Sequence, residues 1–164
     1  MRKLTPITFT VLLCTLGIAS VARAQQHDNE PNPADAREIY NYSLSMDKIH
    51  KAAAATRSLQ ELGKKHPELN QSQDSSTIDG TVENINKYPE AVAAVRSNGL
   101  SPREYVVCFM TLIQTTIAVG MKKSGTFKDY PPKLLAQVNR ANLDFTEQHW
   151  DEIQQITNGL NSDQ

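Results

Sequence analysis

Apolar residues recur at helical spacing along most of this 164-residue chain, and the pattern predicts an all-helical protein. The first clear helix begins after Ser45, a residue type that caps helix N-termini, and ends at Gly63 and His66-Pro67. Its apolar stripe consists of Met46, Ile49, Ala53, Thr56, Leu59 and Leu62. We also predict a short helical turn over 35–42, before this helix.

Two short helices are predicted in the middle of the chain, at 77–87 and 89–97, after a polar loop at 68–76. The second of them opens on a proline, which is tolerated at the first helical position because its missing N–H would have no helical partner there. It stops at Asn98-Gly99, a pair that is typical of helix C-termini.

The most apolar helix of the chain is predicted over 102–123. Ser101 and Glu104 have the spacing of a capping box, which marks its start. Apolar residues cover most of its circumference, a pattern found both in core helices and in membrane spans. Because the apolar run is short for a bilayer and is interrupted by threonines and a glutamine, we expect a core helix.

The last helical region is predicted over 133–157, where one apolar stripe can be followed. The stripe consists of Leu134, Val138, Ala141, Phe145, His149, Ile153 and Ile156. Asn142 can act as an internal N-cap, so the pattern leaves open whether the helix breaks between 139 and 142. Asn158-Gly159 is expected to end it, and 159–164 is a polar tail.

These elements together predict an all-α bundle of four or five helices, arranged around the central helix at about 102–123. The connections are short, which favours antiparallel neighbours, and 35–158 is expected to form a single domain. Residues 25–34 are polar, contain prolines and are predicted to be a disordered lead-in.

Three stretches of the chain resemble recurring features of one group of proteins. They are Ser-Met-Asp-Lys-Ile at 45–49, Gly-Leu-Ser-Pro-Arg-Glu-Tyr-Val at 99–106 and Asn-Leu-Asp-Phe at 142–145. Taken together, they are similar to small exported bacterial all-helical proteins of unknown function. The resemblance covers roughly 35–157 and implies a periplasmic helical protein. It brings no catalytic residue, because its motifs lie at helix boundaries.

The first 24 residues have the pattern of a secretory signal peptide. Arg2 and Lys3 precede a long apolar stretch, and Ala22-Arg23-Ala24 provides the small-x-small motif of a signal peptidase site. We therefore expect cleavage after Ala24 and a periplasmic or secreted mature protein without stable membrane insertion. A retained N-terminal anchor is the alternative.

Composition changes this picture mainly through the charge. The whole chain carries 17 basic and 18 acidic residues, for a net charge of −1. The predicted signal peptide contains three of the basic residues and none of the acidic ones, so the mature chain is more acidic than the precursor. The lack of a basic excess excludes nucleic acid as the expected partner.

Cys108 is the first of two residues that we single out as functional candidates. It is the only cysteine left after signal cleavage, because the other, Cys14, lies in the signal peptide. Its neighbours Val107 and Phe109 are apolar and would raise the pKa of the thiol, so a buried structural cysteine is expected rather than a nucleophile. An intermolecular disulfide is the alternative.

His149 is the second functional candidate. It lies on the apolar stripe of the last helical region, four residues after Phe145 and next to Trp150. The plain interpretation is a hydrogen-bonded histidine at the edge of the core. No His or Cys spacing in the chain is typical of a metal or haem site, so we predict no metal ligand, cofactor or catalytic residue.

Two classes of function follow from these observations. The favoured one is a non-enzymatic binding or interaction module of the cell envelope, which engages a protein or a small apolar ligand through the apolar central helix with Phe109, Met110 and Met121. The plainer interpretation of these side chains is that they fill the core. The alternative is a small periplasmic enzyme, which requires His149 hydrogen-bonded to a carboxylate at the mouth of a pocket.

Overall fold

The computed structural model describes residues 32–66 and 77–162, and the regular elements among these residues are eight helices, with no strand. Their bounds are α1 Pro33–Asn41, α2 Met46–Lys65, α3 Ile78–Asn86, α4 Pro89–Ser97, α5 Pro102–Lys123, α6 Pro132–Leu135, α7 Arg140–Gln148 and α8 Trp150–Ser162. The predicted signal peptide, most of the predicted lead-in and the predicted loop at 68–76 lie outside the described residues.

The helix starts read from the sequence are confirmed by their caps. The hydroxyl of Ser45 accepts a hydrogen bond from the backbone N–H of Lys48 at 3.3 Å, and that of Ser101 accepts one from Glu104 at 3.1 Å. Such caps satisfy backbone donors that have no partner inside the helix. The end of α4 is confirmed as well, since Gly99 takes a φ of 81°, which is unstrained only for glycine.

The region at 133–157 is divided into three helices, which raises the count above the four or five expected. A break does occur between α6 and α7, but its cap is Asn139, whose Oδ1 accepts from the N–H of Ala141 at 2.9 Å. Asn142 is instead buried, and its Oδ1 accepts a hydrogen bond from the backbone N–H of Leu44. A second break falls at His149, where the backbone leaves helical geometry with φ −103° and ψ 21°.

Two boundaries differ from expectation. The helix α1 starts at Pro33, capped by Asn32, so the last residues of the predicted lead-in are ordered as helix. At the other end, α8 continues past Gly159 to Ser162 rather than stopping at Asn158. The carbonyl oxygen of Leu160 accepts a hydrogen bond from Gln60 Nε2 at 3.2 Å, and this tertiary contact holds the last turn against α2.

The helix α5 contacts many of the other described helices. It packs against α1, α2, α3, α4 and α7, and it contributes to each of the three clusters of buried apolar side chains. The polar residues Thr111 and Thr115 are buried in it, and each donates its hydroxyl to a carbonyl oxygen one turn back in the same helix. Threonine can therefore lie in a core helix without an unsatisfied hydroxyl.

Candidate functional site

An apolar groove of about 410 Å³ runs between three helices, with α2 as its floor and α5 and α8 as its walls. We call it the α2–α5–α8 groove. Fifteen residues line it, five from each helix. They are Ile49, Ala52, Ala53, Thr56 and Gln60 of α2, Phe109, Leu112, Ile113, Thr116 and Ile117 of α5, and Gln154, Ile156, Thr157, Asn158 and Leu160 of α8.

The groove has a local cause in the sequence of α2. Four consecutive alanines begin at Ala52, and both Ala52 and Ala53 lie at the floor of the groove and are buried. The helices α5 and α8 each pack against α2. Because alanine side chains are short, the floor between the two walls is not filled by α2 itself. A cleft of this volume is in the range that small-molecule sites occupy.

One wall of the groove continues as an exposed apolar row on α5. The exposed fractions are 37% for Phe109, 43% for Ile113, 59% for Ile117 and 42% for Met121, and these residues are four apart in sequence. We call them the α5 apolar row. The plain interpretation that Phe109 and Met121 fill the core is therefore wrong. Single exposed apolar residues are common, but a contiguous row beside a groove is typical of a binding surface.

The lining contains no Lys, Arg, Asp or Glu among its described residues. Its polar members are three threonines and three carboxamides. Thr56 donates its hydroxyl to the carbonyl oxygen of Ala52 at 2.9 Å, and Thr157 donates to that of Ile153 at 3.0 Å. An occupant of the groove would thus meet hydrocarbon and neutral polar groups, and no charge to pair with an ion.

Two buried polar atoms of the lining have no hydrogen-bond partner within the described part of the chain. They are Oε1 of Gln60 and Oγ1 of Thr116. A buried polar atom without a partner costs about 1–3 kcal/mol. A bound molecule that reached either atom with a matching polar group would offset this cost.

Cys108 is fully buried, as the sequence predicted, in the same apolar cluster as Ile49 and Leu112. Its Sγ lies 3.8 Å from the carbonyl oxygen of Lys48. Burial raises the pKa of the thiol, and the nearby Tyr42 hydroxyl only partly opposes this. A thiol in such a position is a poor nucleophile, and its burial keeps it out of reach of a second chain.

His149 lies at the junction of α7 and α8, with 30% of its side chain exposed. Its ring is 4.6 Å from that of Phe145, and its Nδ1 is 3.9 Å from Glu152 Oε2, too far for a hydrogen bond. Glu152 instead lies 3.3 Å from His50 Nε2 on α2. His149 is not among the residues that line the α2–α5–α8 groove.

The acidic residues of α7 make tertiary and local ion pairs. Both carboxylate oxygens of Glu147 accept from Lys122 Nζ, at 2.7 and 3.0 Å, and the ammonium lies over the ring of Tyr130. The hydrogen bond from Lys122 is the main reason that the pKa of Glu147 is lowered. Burial, followed by the charge of Glu147, raises the pKa of Tyr130 to about 12.

Two further properties concern the described residues as a set. No group of three or more His, Cys, Asp or Glu side chains there is arranged to hold a metal ion. Within the same ranges, α5 alone is long and apolar enough to cross a membrane, by length and composition. Nine of its residues are buried against other helices, which is the environment of a core helix.

Of the fifteen groove residues, only Phe109 was singled out from the sequence, as part of the apolar central helix that engages a protein or a small apolar ligand. The α5 apolar row did leave a signal in the sequence, because its members recur every four residues. The face that they form is next to the buried face that includes Cys108, Thr111, Leu112 and Thr115. A helix with two adjacent apolar stripes has more apolar surface than one core contact needs. Comparisons of this chain with models of protein families, with curated proteins and with solved structures find no match.

Proposed function

We propose that this protein is a non-enzymatic binding module of the cell envelope that holds a small apolar ligand in the α2–α5–α8 groove. In this proposal the chain is exported, loses residues 1–24 to signal peptidase and works as an acidic helical bundle. The observation that carries the ligand proposal is the α5 apolar row: three of its four exposed apolar side chains line a groove with no charged lining residue in the described part of the chain.

Burial of apolar surface supplies the driving force. Each square ångström of apolar surface removed from water contributes roughly 25 cal/mol. Phe109, Ile113 and Ile117 line the groove and are still more than a third exposed, so a ligand between α5 and α8 would cover them. The sequence left a protein and a small apolar ligand as alternatives. We favour the small ligand because the groove has a floor of alanines and walls on two sides, which suits an occupant narrower than a helix.

A binding experiment with an uncharged fluorescent probe tests this proposal. Prodan, a naphthalene ketone without any N–H or O–H, emits at shorter wavelength when it leaves water for an apolar site. Titration of the full chain should give a saturable blue shift. Ala53→Leu adds three carbons at the groove floor and should weaken the binding at least about tenfold, because it occupies the space that the probe needs.

Two variants make the result interpretable. Ala93→Leu is the matched control, since Ala93 lies exposed on α4 away from the groove, and it should bind like the wild type. Ile113→Ser changes a partly exposed residue of the groove wall and should also weaken binding while the helical circular dichroism is kept. Absence of prodan binding in the wild type would overturn the proposal. So would binding to Ala53→Leu and Ile113→Ser that is as strong as binding to the wild type.

A second copy of the chain is the competing occupant. Sedimentation velocity of the wild type and Ile113→Ser distinguishes it from a small ligand. A wild-type monomer with prodan bound supports the proposal, whereas a dimer that Ile113→Ser dissociates would assign the groove to protein association. The export step is tested separately by the intact mass of protein from the periplasm, which should correspond to a chain that begins at Gln25.

A further inference from the structure

We propose, building on the function above, that the groove prefers uncharged apolar ligands with a hydrogen-bond donor, and that Gln60 Oε1 accepts from this donor. Long-chain alcohols and primary amides belong to this class. The carboxamide of Gln60 lies on α2 where the groove meets the last turn of α8.

The orientation of this carboxamide is set by its own neighbour. Gln60 Nε2 donates to the backbone carbonyl of Leu160 at 3.2 Å, and a carbonyl can only accept. The other end of the amide must therefore be the oxygen. Gln60 Oε1 is buried and accepts no hydrogen bond from the described residues. A group that completes this site has to donate, because two acceptors placed together repel each other.

The electrostatics of the lining decide between the possible donors. An ammonium group donates, but no carboxylate among the described lining residues could balance its charge. A carboxylate has no donor and would face Gln60 Oε1 with its own lone pairs. Moving an unpaired charge into an apolar environment is costly, whereas a hydroxyl or an amide N–H needs only its hydrogen bond. A neutral donor is the group that both observations allow.

Thr116 is the other lining residue with an unpartnered polar atom, and it serves as the internal comparison. The two residues lie toward different ends of the groove. Thr56, one turn before Gln60, bonds the hydroxyl of Tyr105 near the start of α5, and Thr116 lies three turns further along that helix. The Thr116 hydroxyl can donate or accept, so it satisfies an ether as readily as an alcohol. It cannot produce a preference for donors as strong as that of Gln60.

A pair of isomers tests the preference. 1-Decanol and methyl nonyl ether contain the same atoms, but only the alcohol has a donor, and the ether is the more hydrophobic of the two. Both are used to displace prodan from the full chain. The alcohol should displace prodan from the wild type at a concentration about tenfold lower than the ether. Decanoate, with the same chain length and a charged head, should displace it less well than the alcohol.

Two variants locate the preference. Gln60→Met keeps the length of the side chain and removes the acceptor. The ratio of the ether concentration to the alcohol concentration that displaces prodan should therefore fall to about one. Thr116→Val removes the other polar atom and should keep the ratio of the wild type. Because both isomers are compared within one variant, any general loss of affinity cancels.

The outcomes separate this inference from the function on which it rests. Prodan binding with equal displacement by the two isomers would overturn the donor preference and leave the apolar site intact. A preference that Thr116→Val abolishes and Gln60→Met keeps would overturn the assignment to Gln60. Failure of the wild type to bind prodan would overturn the proposed function itself.

Discussion

Asn142 Oδ1 accepts a hydrogen bond at 3.0 Å from the backbone N–H of Leu44, a residue 98 positions earlier in the chain. The same carboxamide donates from Nδ2 to the carbonyl oxygen of Tyr42 at 2.6 Å. A single buried side chain on α7 thus satisfies two backbone groups of the connection between α1 and α2. Backbone groups in such a connection would otherwise be buried without partners.

Replacement of Asn142 by alanine should lower the free energy of unfolding by about 2–4 kcal/mol, because the Leu44 N–H and the Tyr42 carbonyl both lose their partner in a buried position. Urea unfolding followed by circular dichroism measures the loss. Asn86→Ala, at an exposed position of α3, is the matched control and should stay within about 0.5 kcal/mol of the wild type. Equal stabilities of the two variants would contradict this role.

The thiol of Cys108 should react with a disulfide reagent only when the protein opens, because the side chain is fully buried and its pKa is raised. The measurement uses the full chain with Cys14→Ser, so that Cys108 is the only cysteine. We expect a slow reaction in buffer, a fast one in denaturing urea and the same native mass with and without reductant. Rapid labelling of the native protein, or a dimer lost on reduction, would contradict it.

The two sides of α5 should respond differently to truncation. Val119 is fully buried and Ile117 is the most exposed member of the α5 apolar row. Val119→Ala should cost about 2 kcal/mol through the cavity that it leaves, whereas Ile117→Ala should change stability by less than about 0.5 kcal/mol. Thermal and urea unfolding compare them. A large loss in Ile117→Ala would mean that the row is covered by protein in the free chain.

The Lys122–Glu147 pair should make stability depend on acid pH. The pKa of Glu147 is lowered in the folded protein, so its contribution is present above the ordinary carboxyl pKa of about 4.3 and is lost as pH falls through the folded value. Lys122→Met should therefore lose less stability than the wild type between pH 7 and pH 3, by about 1 kcal/mol. Lys133→Met, at an exposed position of α6, should keep the pH profile of the wild type. Identical profiles for all three proteins would contradict the role of the pair.

The helix starts were predictable because their signals are local. Ser45 and Ser101 cap helices with side chains only three residues from the N–H groups that they serve. The break between α6 and α7 was left open by the pattern, which offered Asn142 as its cap, whereas the structure caps α7 with Asn139. Asparagine at either position can cap a helix. Asn142 does not, because its side chain is hydrogen-bonded to Leu44 and Tyr42, which are 98 and 100 positions earlier in the chain. The extension of α8 beyond Gly159 depends in the same way on Gln60.

The candidate site was less accessible to sequence analysis. Burial of Cys108 follows from its neighbours on an apolar helix and was predicted. The environment of His149 was not fixed by the pattern, because the acid nearest to its ring, Glu152, also contacts His50 of another helix. The groove arises only when α5 and α8 pack on the alanines of α2.

By itself the sequence determined that the chain is helical, where most helices start and that Cys108 is buried, since propensity, capping and periodicity act over a few residues. Only the tertiary structure decided which of the two apolar stripes of α5 is covered, and it left Phe109, Ile113 and Ile117 exposed beside a groove. Periodicity records that a face is apolar. Whether protein or solvent meets that face depends on which helices pack there, and that choice is made by contacts between distant parts of the chain.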